Sequence, residues 1–343
     1  MHRSTAARAL DPVQSRRISP EVVQRVREEA RRQGYRRDAI AASLRTGRSR
    51  LVGVVVPDLA NPVFAPILGG ISATLAREGY SILVADAGKD EADQIKIVEE
   101  LLARRVDGLV LATARRRDPV VSLCLRAGIP TVLVNRTEDR RRTPSVVTDD
   151  VGGMRLAVRH LLALGHERIG HLAGPEDLST GALRRRGFEV AMTDAGLDPS
   201  CVATAAAYSR AAGRIAAAEL LDRYPGLTAI VAANDLLALG AYQELAARGL
   251  SCPEDLSIVG HNDMPLVDMV EPPLTTGRIG HIAMGNEAAR LLIERLAHPA
   301  AKSRRVTSSS ASKARLHVDE STLCDSRKRT RCRETLRSPD LNL

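Results

Sequence analysis

No stretch of this 343-residue chain is apolar over the roughly 20 residues that a helix needs to cross a bilayer, so no membrane partner is expected. The N-terminus is basic and lacks the apolar core of a secretory signal, which makes the cytoplasm the expected location. Cysteine is sparse. Cys124, Cys201, Cys252, Cys324 and Cys332 form an odd set without a C-x-x-C pair, a pattern that predicts reduced structural thiols and no metal site. Nucleophile elbow, P-loop, metal-ligand cluster and dinucleotide glycine fingerprint are all missing, so neither an enzyme nor a cofactor is expected.

Arginine is plentiful and unevenly spread. Residues 1–50 carry 13 arginines against 5 acidic residues (net +8), residues 302–343 carry 11 basic against 5 acidic residues (net +6), and the whole chain is +9, which leaves −5 for the middle. A basic head on an acidic body points to nucleic acid at one end, although charge alone leaves a merely solvated basic face equally open.

A chain of 343 residues can bury a large core and should hold more than one domain. From Leu51 onward short apolar runs alternate with amphipathic stretches. Leu-Val-Gly-Val-Val-Val-Pro (51–57), Ser-Ile-Leu-Val-Ala (81–85), Gly-Leu-Val-Leu-Ala (108–112), Thr-Val-Leu-Val-Asn (131–135) and Ser-Val-Val-Thr (145–148) read as strands covered on both faces. Asn61-Pro62 starts a helix that runs to Gly79, and 93–102 has helical apolar spacing. The alternation restarts at Arg-Ile-Gly-His-Leu-Ala-Gly (168–174). It continues through helices at 179–195, 210–223 and 235–248 and strands at 229–233 and 256–260. The predicted fold class is α/β, with two lobes of parallel sheet joined by right-handed crossovers. A ligand of such sheets binds beyond the carboxyl ends of the strands, so the cleft between lobes is the expected pocket.

Several segments together resemble the LacI/GalR family of bacterial transcriptional repressors over roughly residues 2–298. They are Arg-Ser-Thr-Ala-Ala-Arg-Ala-Leu (3–10), Arg-Thr-Gly-Arg-Ser-Arg with Gly-Val-Val-Val-Pro-Asp and Asn-Pro-Val-Phe (45–64), and Arg-Arg-Val-Asp-Gly-Leu-Val-Leu (104–111). The others are His-Leu-Leu-Ala-Leu-Gly-His-Glu-Arg-Ile (160–169), Arg-Arg-Arg-Gly-Phe (184–188), Ala-Asn-Asp-Leu-Leu-Ala-Leu-Gly-Ala (233–241) and Glu-Pro-Pro-Leu-Thr-Thr (271–276). Each alone is weak; their order and spacing are specific. The resemblance implies a periplasmic-binding-protein-like body preceded by an all-α helix-turn-helix head. It also implies a homodimer acting on a palindromic operator, and a small polar effector, a sugar or sugar derivative, in the cleft.

The implied domains are a partial headpiece at 1–35 lacking its first helix, a hinge helix and linker at 36–50, and an effector-binding and dimerisation body at 51–323. The body divides into an N-lobe (51–164 plus 278–300) and a C-lobe (165–277 plus 305–323), with a disordered tail at 324–343. Thr-Ala-Ala-Arg (5–8) is similar to the family's recognition-helix pattern, which places Arg3, Ser4, Thr5 and Arg8 toward DNA. A frayed, solvated N-terminus is the competing reading. Residues 38–45 are similar to the hinge helix, with Ala41, Leu44 and Arg45 at the minor groove and Leu44 as the wedge that kinks the base step; packing of Leu44 on its dimer mate is the alternative.

For the effector, the resemblance implies Phe64 as an apolar wall, Arg184 as the anchor, Thr180 as a polar contact and Tyr208 as a stacking ring. Asp149, Asn234 and Asn262 stand at strand ends beside the cleft. The Asn234-Asp235 pair also suits a helix N-cap. Two residues depart from the family pattern: Asn262 replaces a customary carboxylate and Ile279 a customary glutamine, which makes a simple hexose a less certain ligand. Beyond Pro299 the resemblance fades, and residues 307–313 and the last twenty are expected to be disordered. The alternative function is a small-molecule-binding protein without specific DNA binding, because the head is incomplete.

Overall fold

The computed structural model describes residues 3–10, 14–35, 47–88, 90–298, 305–307, 315–319 and 321–322. Met1–Ser49 and Arg50–Leu343 form separate compact units. In the first, helix α1 (Arg3–Ala9) and helix α2 (Pro20–Arg32) flank a 3-10 turn at Gln14–Arg17. Pro20 sits in the first turn of α2, where a missing N–H costs nothing. The two helices pack together and bury Ala9 and Val26, a very small core.

The second unit contains two six-stranded sheets. The first holds β1 (Leu51–Val56), β2 (Ser81–Asp86), β3 (Gly108–Leu111), β4 (Thr131–Val134), β5 (Ser145–Val147) and β11 (Arg305–Thr307) in the order β11-β5-β4-β3-β1-β2, every pairing parallel. Helices α3 (Phe64–Arg77), α4 (Glu91–Ala103), α5 (Pro119–Arg126) and α10 (His281–Ala297) cover it. The second sheet holds β6 (Ile169–Ala173), β7 (Val202–Thr204), β8 (Ala229–Ala232), β9 (Ser257–Asn262), β10 (Thr275–Arg278) and β12 (Arg315–His317), ordered β12-β10-β9-β8-β6-β7, with only the β10–β12 pair antiparallel. Its helices are α6 (Asp150–Ala163), α7 (Ser179–Asp194), α8 (Arg210–Arg223) and α9 (Asp235–Ala247). Strands β3, β4, β6 and β8 are buried along their whole length, which is why they read as mostly apolar runs, with Thr131 in β4 and His171 in β6 as the polar members, rather than as alternating ones.

The lobe borders differ from the expectation in two places. Helix α6 was expected in the N-lobe, which was to run to residue 164. Its apolar face, Met154, Ala157, Val158 and Leu161, instead lies in the core with Phe188 of α7 and Val231 and Val259 of the second sheet. The chain therefore crosses between β5 and α6. Residues 305–307 were expected in the C-lobe, but β11 pairs with β5 and extends the first sheet. Residues 315–317 do join the second sheet as β12, and polar groups hold Ser321 beside it. Ser321 Oγ donates to the Ile258 carbonyl at 2.7 Å and accepts from the Thr275 amide at 2.7 Å. Apart from Thr307 in β11, residues 307–313 and the last twenty lie outside the described residues. No helix among the described residues is long and apolar enough to cross a membrane.

Candidate functional site

The carboxyl ends of both sheets face one cleft. From the first lobe, the chain leaving β1 brings Asp58 and Asn61, that leaving β3 brings Thr113 and Arg115, and that leaving β4 brings Arg136. From the second, the chain leaving β6 brings Pro175, Asp177 and Leu178, and that leaving β7 brings Tyr208. Together they line a cavity of about 120 Å³. This lies well below the several hundred Å³ of a drug-sized site and suits a compact ligand. Contacts across the rim join the lobes: Arg115 pairs with Asp177, the Arg116 amide donates to the Asp177 carbonyl at 2.9 Å, and the Thr137 amide donates to Ser179 Oγ at 3.0 Å.

Behind the second-lobe wall lies a buried arginine network. Arg184 on α7 is 2% exposed. It donates from Nε to Asp150 Oδ1 at 2.7 Å, from Nη1 to the Ala233 carbonyl at 2.7 Å and from Nη2 to Asn262 Oδ1 at 3.1 Å. Burial disfavours its charge, but Asp150 and its neighbours outweigh that and hold its pKa above the ordinary arginine value. The guanidinium also sits 5.9 Å from the centroid of the Tyr208 ring. Tyr208 in turn packs closely on Gly174: a Cβ there would come within 2.3 Å of the ring's Cζ and hydroxyl. Thus Arg184 and Tyr208 are brought together, with Tyr208 at the cavity wall and Arg184 one layer deeper.

The other expected effector residues are placed as follows. Thr180 is buried near the start of α7, where its side chain interacts with the Tyr208 hydroxyl. Asn262, at the end of β9, orients Arg184 rather than lining the cavity, and its backbone has φ 121°. Asn234 caps α9, accepting from the Leu237 amide at 3.0 Å. Asp149 is exposed and caps α6, accepting from the Gly152 amide at 2.9 Å; the buried carboxylate is its neighbour Asp150. Phe64 sits in the first-lobe core at the start of α3 and does not line the cavity. Asp235, read from the sequence as the possible cap, is fully buried. It accepts from Thr276 Oγ1 at 2.5 Å and from the Met264 amide at 2.9 Å, and burial pushes its pKa up to about 7 against the pull of both donors.

Sequence reading missed Arg136, Thr113 and Asp150. The first two follow strands whose ends had been placed correctly, so the rule that ligands meet strand carboxyl ends could have found them. For Asp150 no sequence signal separates it from Asp149.

In the head unit, Ser4 and Arg8 share an exposed face of α1 at i, i+4 spacing and Thr5 is half-buried. Arg3 opens that helix, but its side chain, like Ala41, Leu44 and Arg45, lies outside the described residues.

Residues 49–317 match the family described as periplasmic binding proteins and sugar binding domain of LacI family. The HTH-type transcriptional regulator CelR of Thermobifida fusca is 32% identical over 302 residues, covering 86% of this chain and 88% of that one. A solved complex of the transcriptional regulator CelR with cellobiose superposes with a TM-score of 0.74 at 30% identity, covering 93% of this chain and 94% of that one. The lac repressor dimer bound to operator and the anti-inducer ONPF gives a TM-score of 0.79 at 25% identity, over 93% and 95% of the two chains.

Proposed function

The chain belongs to the LacI family of ligand-responsive, DNA-binding transcriptional regulators, and from that membership we propose that it acts as a cytoplasmic, non-enzymatic homodimer that holds a palindromic operator and yields or gains affinity when a small hydroxylated ligand fills the cleft. The observation that carries this reading is the cavity lined by both lobes. A ligand there touches the two lobes at once, so its binding energy depends on how they are set relative to each other. Any contact that differs between two lobe arrangements shifts the population toward one of them. Cellobiose and operator DNA in the similar structures support the two partner classes, a sugar-like molecule and a DNA site. In this reading Thr180, Arg184 and Tyr208 serve the ligand, Tyr208 directly and Arg184 by fixing Tyr208 and Asn262. Ser4, Thr5 and Arg8 serve DNA, with Arg3, Ala41, Leu44 and Arg45 completing that surface.

The test is a titration of the chain against duplexes from its own upstream region and scrambled duplexes at matched salt, with and without candidate sugars. The expected result is a preference for one two-fold symmetric segment that a ligand changes by roughly 5–150-fold. Equal affinity for every duplex, with ligand binding retained, would favour a small-molecule-binding protein without specific DNA contact.

A further inference from the structure

Residues 115–142 hold 8 arginines against 3 acidic residues, a net +5, inside a body (51–301) whose net charge is −5; the remainder of that body therefore carries −10. Most of the excess sits in two segments. Arg115-Arg116-Arg117 follows β3, and Arg140-Arg141-Arg142 lies between β4 and β5. The fold lays one segment along the other. The Asp139 amide donates to the Arg116 carbonyl at 2.9 Å, and Arg142 Nη2 donates to the Asp118 carbonyl at 3.1 Å. Between these two ties stand Arg117 on one segment and Arg140 and Arg141 on the other. Arg142 Nη1 also donates to Ser122 Oγ at 2.8 Å, and Arg126 follows Ser122 by one turn of α5.

The acidic residues of this stretch are already engaged. Asp118 is buried and caps α5, accepting from the amides of Arg115, Val120 and Val121. Glu138, its side chain 1% exposed, takes Arg142 with both carboxylate oxygens. Asp139 pairs with Arg116, and from the second lobe Asp177 and Glu176 pair with Arg115 and Arg185. Arg117, Arg126, Arg140 and Arg141 are left exposed, and their side chains enter no ion pair among the described residues. Arg141 is held at φ 50°, a left-handed conformation that favours glycine over any residue with a Cβ. None of these four arginines lines the cleft cavity.

We propose that Arg117, Arg140 and Arg141, with Arg126 beside them, form a second binding surface outside the cleft, and that it receives a compact phosphate-bearing group, carried by a free metabolite or by a phosphorylated side chain. Guanidinium forks match phosphate oxygens, and one phosphate brings close to two negative charges, so a single group can answer several arginines where a carboxylate answers one. A long polyanion fits less well, because beyond the patch it would run over an acidic body.

The experiment is calorimetric titration of the full chain at constant ionic strength with pyrophosphate, and with the peptide Gly-Ala-phosphoserine-Ala-Gly beside its unphosphorylated form; acetate is the monovalent control. The comparison protein carries Arg117→Ser, Arg140→Ser and Arg141→Gly together. All three exchanges fall on exposed side chains, the last at a backbone that glycine adopts freely, so its melting temperature should equal or exceed that of the parent. The expected result is that pyrophosphate or the phosphopeptide binds the parent, and binds the triple variant about 10-fold or more weakly, since three exposed charge contacts contribute a few-fold each. Lysine at the same three positions should keep an intermediate affinity, because the charge remains and the fork is lost. Which probe binds tells a free phosphate from a phosphorylated side chain. No binding of either probe to the parent, acetate binding as tightly as they do, or a triple variant that binds them like the parent (as it would if they enter the cleft) overturns the proposal. So does a triple variant that loses affinity for a scrambled DNA duplex and not for the phosphate probes, which would make the patch a nucleic-acid contact.

Discussion

Arg184 Nε lies 2.7 Å from Asp150 Oδ1, with 3% and 1% of the two side chains exposed. The pair ties α7 to the first turn of α6, immediately after the chain crosses from the first lobe to the second. Its value lies in orientation more than in net stability, because desolvating two charges consumes most of their attraction. Removing one partner is a different matter. Asp150→Asn or Arg184→Met should each cost on the order of 3–5 kcal/mol, since each strands a polar group in the interior. The double variant Asp150→Asn with Arg184→Met should lose markedly less than the sum of the single losses. Urea denaturation of the four proteins measures this, and strict additivity would refute a coupled pair.

Tyr208 and Gly174 give a second, local prediction. Gly174→Ala puts a methyl group where the Tyr208 ring lies, 2.3 Å from Cζ, so the ring must swing away from its place at the cavity wall. Ligand affinity should fall by about 10-fold or more, while the melting temperature of the unliganded chain shifts by only a few degrees. Calorimetric titration beside a melting curve separates the two effects. Unchanged affinity would mean that the ring does not touch the ligand.

Much of this arrangement was legible in the sequence. The runs of β1, β3, β4, β6 and β8 are mostly apolar because both faces of each strand are covered, and a run bounded by helical periodicity is the strongest local signal an α/β chain gives. The three-residue strands β7, β11 and β12 carry no such signal; sheet pairing defines them. Resemblance assigned Arg184 and Tyr208 separately to the ligand; that the two side chains lie together is seen only in the fold. That Asp150 and not Asp149 meets Arg184 was not legible, because adjacent residues at a helix start differ only in which way the backbone turns them. Arg136 stayed hidden for another reason. One arginine among the many of this chain looks solvated until the fold shows that it is buried at the cavity wall.

Helices α3 and α10 meet at two glycines. A Cβ on Gly285 would lie 2.1 Å from the Ile67 carbonyl oxygen, and one on Gly70 would lie 2.4 Å from that of Ile282. Both are backbone atoms and cannot step aside without moving a helix. Gly285→Ala should therefore destabilise the body by about 1–3 kcal/mol, although alanine has the better helix propensity by about 1 kcal/mol. The same exchange at Gly69, on α3 with open space around it, should stabilise. Denaturant midpoints for the two variants test the contrast. A stabilised Gly285→Ala would show that the helices do not approach this closely.

Stability should fall in mild acid, and His171 supplies a definite share. Its ring is fully buried and stacked on Phe188 at 4.8 Å. One nitrogen, Nδ1, lies 2.8 Å from the Val231 carbonyl, which requires the proton to sit there, and Nε2 is buried with no partner. Burial, opposed by that carbonyl and aided by Arg185 and Arg184, lowers its pKa from 6.5 to about 4. The unfolded chain takes up a proton near pH 6.5, whereas the folded chain resists until about pH 4. The contribution is therefore whole above pH 6.5, shrinks as the pH falls from 6.5 to about 4, and changes no further below that. Its full size is on the order of 3 kcal/mol, at about 1.4 kcal/mol per pH unit of separation. His160 and His281, likewise lowered to about 4 by burial, act with the same sign. His171→Gln keeps a donor for the Val231 carbonyl and removes the titration. Urea unfolding from about pH 7.5 down to about pH 4.5 should show a shallower loss for this variant, by about one proton per molecule. Parallel curves for parent and variant would assign the acid sensitivity to the other histidines.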